Sequence, residues 1–77
     1  MPEGFDDIRA FEALAEIAYD AMYEAHSLSA AGVCYSDAKE YFHDAIGVAR
    51  RLKANEEVTR LEARLAHVKA VFRSQFT

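Results

Sequence analysis

Seventy-seven residues make one small domain, and an apolar content of 52% excludes a chain too polar to build a core. A single cysteine excludes an internal disulfide and points to a reducing compartment, while no apolar run is long enough to span a bilayer, so a soluble cytoplasmic protein is expected. The net charge of −4 is unevenly spread: residues 1–26 hold seven acids against Arg9 alone, and residues 50–77 hold seven bases against three acids.

The acidic opening, Met1 to Asp7, lacks the basic-then-apolar order of a signal peptide. A first helix is predicted from about Asp6 to Ala31, with Asp6 or Asp7 as N-cap and Gly32 just past its end. Phe11, Ala15, Ala18, Met22 and Ala25 form one apolar stripe along it. Leu14, Ile17, Ala21 and Leu28 form a second stripe beside the first. Together they are wider than one neighbouring helix can cover, so this helix asks for two partners.

The second helix is predicted from about Ser36 to Lys53, with Ser36 as N-cap. Ala38, Tyr41, Phe42, Ala45, Ala49 and Leu52 supply its buried stripe; Lys39, Glu40, His43, Asp44, Gly47, Arg50 and Arg51 supply its polar face. Gly47 suggests either close approach by another element or simple tolerance, at a cost of about 1 kcal/mol against alanine. The third helix, about 56–75, follows Asn55 as N-cap, and Val58, Leu61, Leu65, Val68 and Phe72 repeat at alternating spacings of three and four. The short links make the helices antiparallel neighbours, and the whole reads as an all-α, three-helix up-down-up bundle.

The glycine turn followed by Tyr35, Ala38, Tyr41, Phe42, Ala45 and Ile46 resembles the second half of a tetratricopeptide repeat. In that family a glycine closes the first helix, and the second then presents alanine, an aromatic residue and alanine at this spacing. The likeness covers one copy, about Ala21 to Ala49, with one extra residue between Gly32 and Ala38 and Arg50-Arg51 where the family has proline. It implies a helical hairpin capped by a third helix and used to bind a protein or peptide. An unrelated alanine-rich hairpin with the same packing needs would carry the same residues.

Several constellations bear on chemistry. Glu12, Glu16, Asp20 and Glu24 recur every four residues, an arrangement that repels weakly unless a basic surface lies beside it. Arg60, Arg64 and His67 could supply that surface within one chain or between two; otherwise both faces are simply solvated. Tyr19, Tyr23 and His26 flank the acidic row, either as an interface or as rings over the core edge. Glu40 and His43 have the Glu-x-x-His spacing of carboxylate metal bundles, which a dimer of this chain could complete with Glu16 or another acid of the first helix. They project away from the apolar stripe, however. Cys34 has no partner, and the three histidines show no metal-ligand spacing. No phosphate loop or nucleophile motif is present, so neither an enzyme nor a cofactor is expected. The basic last third could meet phosphates, but its bases are scattered and the chain is acidic overall, which argues against nucleic acid. The expected function is protein–protein interaction without catalysis, with self-association as a homodimer through Leu14, Ile17, Tyr19, Tyr23 and Leu28. A metal-binding bundle completed by dimerisation through Glu40 and His43 is the alternative.

Overall fold

The first helix gets its start from a glycine and an acid three residues on. In the structure, a computed structural model that describes residues 3–76, the Gly4 N–H donates to the Asp7 carboxylate at 2.8 Å and the Asp7 N–H donates back to the Gly4 carbonyl at 3.0 Å. Gly4 is thus the N-cap, and Asp6 and Asp7, expected in that role, occupy the first turn instead, where the helix dipole favours acids. Helix α1 spans Phe5–Glu24 and stops well short of Ala31. Ala25 turns extended, and Ser27 caps the next helix by accepting the Ala30 N–H at 3.0 Å.

Helix α2 therefore spans Leu28–Arg51, and the link falls at residues 25–27. Gly32 and Ser36, read from sequence as the end of one helix and the start of the next, lie inside α2. The reason is visible in the spacing. Ala31, Tyr35, Ala38, Phe42, Ala45 and Ala49 alternate by four and three without a break, so one helix through Gly32 keeps all of them on the core side. An interior glycine costs about 1 kcal/mol, less than abandoning that packing. The glycine turn on which the likeness to a tetratricopeptide repeat rests is consequently not formed at Gly32, although Ala38, Phe42 and Ala45 are all fully buried.

Helix α2 ends in a Schellman motif: Ala54 N–H donates to Ala49 carbonyl at 2.9 Å and Lys53 N–H to Arg50 carbonyl at 3.0 Å. Lys53 takes the left-handed conformation this requires, with φ of 57°. Helix α3 then spans Asn55–Gln75, with Ala54 as N-cap and Asn55 already helical, one residue from the expected arrangement.

The molecule is an all-α bundle of three helices running up, down and up. The core comprises Ile8, Ala15, Tyr19 and Met22 of α1, seven residues of α2 including Phe42, Ile46 and Val48, and Leu61, Leu65 and Val68 of α3. Helix α2 is the central element, packed closely on α1 and also on α3, whereas α1 and α3 meet mainly through long side chains. The outline, 39 × 22 × 12 Å, is accordingly a thin layer that leaves the far side of α1 uncovered. Among the described residues, no helix is long and apolar enough to cross a membrane.

Candidate interaction surface

Charge pairing settles which side of α1 is already taken. The first half of the acidic row meets α3: Arg60 grips Glu12 with Nη1 at 2.5 Å and Nη2 at 2.9 Å, and Arg64 grips Glu16 with Nε at 2.7 Å and Nη2 at 2.8 Å. Both pairs span 48 residues, and the Tyr19 and His67 rings, also 48 apart, sit edge to face at 6.4 Å. Parallel helices in fixed register produce that constant offset. Arg60 also holds Glu57, one turn before it. The Arg60 guanidinium keeps the Glu12 carboxyl below the usual range, outweighing the opposing effect of partial burial. The same hydrogen bonds, first with Glu12 and then with Glu57, raise Arg60.

The aromatic flank belongs to this internal seam. Tyr19, expected at an interface with another protein, is buried against its own chain; its ring lies 5.0 Å beneath the Arg64 guanidinium and its hydroxyl shares a 3.0 Å hydrogen bond with the Tyr23 hydroxyl. Burial, reinforced by that hydrogen bond, pushes the Tyr19 phenol up to about 12. Tyr23 is half exposed, but its ring meets Phe76 edge to face at 5.6 Å, and Phe76 continues into a stack with Phe72 and Tyr35. Tyr23 marks the rim of the packed region.

What remains free is the opposite side of α1. Leu14 is 42% and Ile17 64% exposed, both on the face turned away from Ile8, Ala15 and Tyr19. Exposed Ala10 and half-exposed Ala21 extend them into a stripe, Ala10, Leu14, Ile17, Ala21, spaced four, three and four, with exposed Ala13 beside it. That is the spacing of a helix-pairing seam. Leu28, assigned to the same stripe from sequence, is exposed but opens α2, because α1 ends before reaching it. Four residues backwards from Leu14 is the sequence signal that finds Ala10, while Ala13 lies off that spacing.

The outer face of α2 carries less. Glu40 and His43 are exposed, and no group of three or more potential metal-ligating side chains converges among the described residues. His43 instead borders an open groove of about 290 Å³ between α2 and α3, spanned by the Arg50–Glu62 pair at 2.9 Å. Gly47 faces no other element: a Cβ there would meet only the Arg51 guanidinium of its own helix, at 3.4 Å. Arg51 in turn holds Glu3 in a two-pronged ion pair that ties the start of the described chain to the end of α2. Cys34 is half-buried within α2. Comparison of the chain with protein-family models, with curated proteins and with solved structures brought no match.

Proposed function

We infer that this protein is a small helical interaction module without catalytic activity, which self-associates through the outer face of α1. The observation carrying the reading is the exposure of Leu14 and Ile17 in a seam-spaced stripe on a helix whose opposite face already fills the core. A 77-residue chain buries a limited share of its surface alone, so covering this stripe is a natural source of added stability. Burying what Leu14 and Ile17 leave exposed contributes about 1–2 kcal/mol each. Set against the cost of association, that supports a weak, reversible assembly and not a permanent one.

Sedimentation equilibrium from micromolar to millimolar concentration tests the reading. A reversible rise in mass with concentration is expected, weakened at least tenfold by Ile17→Glu with helicity retained, since Ile17 supports no core contact in its own chain. A monomer at every concentration, with a melting temperature independent of concentration, overturns it.

A further inference from the structure

The stripe on α1 has a symmetry that selects one mode of pairing. Ala10, Leu14, Ile17 and Ala21 read the same in either direction about a point between Ala15 and Glu16: small, large, large, small. Resting on the self-association argued above, we propose that α1 docks against α1 of a second copy in antiparallel orientation, about a two-fold axis at that point. Leu14 of each copy then lies beside Ile17 of the other, and Ala10 lies against Ala21, which lets the helix axes approach to about 8 Å.

Charge fixes the direction. Arg9 and Asp20 lie on the same flank of the stripe, and Glu24 closes its far end. In the antiparallel arrangement Arg9 falls level with Met22 of the second copy, within reach of Asp20 and Glu24 on either side of it. Arg9 is available for this: its side chain is 78% exposed, and its contact with Asp6 is long, 3.7 Å. Asp7, the acid level with Glu24 of the second copy, is turned back to hold the Gly4 N–H. Opposed helix dipoles also favour this direction, because each Glu24 lies at the N-terminal end of the other α1. A parallel pairing would instead set Glu24 against Glu24 across the seam. It would also face the Arg9–Asp20 flank with the opposite flank, Ala18 and Ala25, which is apolar and partly buried.

Distance measurement between spin labels decides the orientation. Asp6 is fully exposed beside the end of the seam, so a nitroxide on Asp6→Cys in a Cys34→Ser background reports on it. With a rise of 1.5 Å per residue, the antiparallel dimer places the two labels about 30 Å apart, and a parallel dimer about 10–15 Å. In parallel, Arg9→Glu should weaken the dimer several-fold, and Arg9→Glu/Asp20→Arg/Glu24→Arg should restore it. A dimer with the short distance, or one indifferent to Arg9→Glu, overturns the antiparallel arrangement while self-association stands. A sample that sediments as monomer at the labelling concentration overturns both.

Discussion

Gly32 is the residue whose surroundings contradict its usual reading. It sits in the interior of α2 with ordinary helical backbone, and nothing lies within 4 Å of where a Cβ would be. Gly32→Ala should therefore stabilise the protein by about 0.5–1 kcal/mol through the unfolded state, seen as a higher urea midpoint at unchanged slope. Had Gly32 closed a helix in left-handed conformation, the same change would destabilise. Tyr19 offers a second test at this scale. Its phenol is raised to about 12 by burial first and by the Tyr23 hydroxyl second. The neutral form is the one the fold favours, so this contribution is intact below the ordinary tyrosine range near 10 and is lost as pH climbs from there towards 12. Tyrosinate absorbance should show an ionisation towards pH 12 together with alkaline unfolding, and Tyr19→Phe should remove that step.

At the scale of elements, the ends of helices decide more than their middles. Lys53 holds the left-handed position of the Schellman motif between α2 and α3, a conformation that costs a side-chain-bearing residue about 1 kcal/mol relative to glycine. Lys53→Gly should raise the melting temperature by several degrees, for a gain of about 0.5–1 kcal/mol. The three helices, the α3 seam and the Ala38–Phe42–Ala45 stripe were legible in the sequence because each rests on local periodicity. The first link was not. Gly32 is a strong helix-stop signal taken alone, whereas the competing signal, a serine cap at Ser27 followed by Ala31 and Tyr35 in phase with Ala38, shows only when the apolar repeat is followed backwards. Tyr19 was misplaced for a different reason: it is core on one edge and polar at its hydroxyl, and only the approach of α3 determines which property governs. Leu14 and Ile17 are exposed, and the sequence signal for that is a second apolar stripe on α1 wider than a single neighbouring helix can bury.

For the whole molecule, opposite charge in the first and last thirds is resolved internally. Arg60 and Arg64 clamp Glu12 and Glu16, joining two helices whose backbones hardly meet. Since the Glu12 carboxyl is held below its ordinary value, its contribution is present above the ordinary carboxylate range and is lost as pH falls through the lowered value. Melting temperature should drop on acidification towards pH ~3, and Glu12→Gln should flatten that dependence. With Arg60 half exposed, the contribution is on the order of 0.5–1 kcal/mol and should shrink in high salt.

The constant offset of these pairs also bears on how the chain reaches its fold. Glu12–Arg60 and Glu16–Arg64 join α1 to α3 across 48 residues, whereas Glu3–Arg51 lies at the open end of the α1–α2 hairpin and the turns of both hairpins close over a few residues each. Closing a flexible loop of that length costs about 3–4 kcal/mol in chain entropy, but once one of the α1–α3 pairs has formed the other requires no further closure. The two α1–α3 pairs should thus appear together and late, after both helical hairpins exist. Mutations such as Arg64→Ala should then speed unfolding while leaving the folding rate almost unchanged.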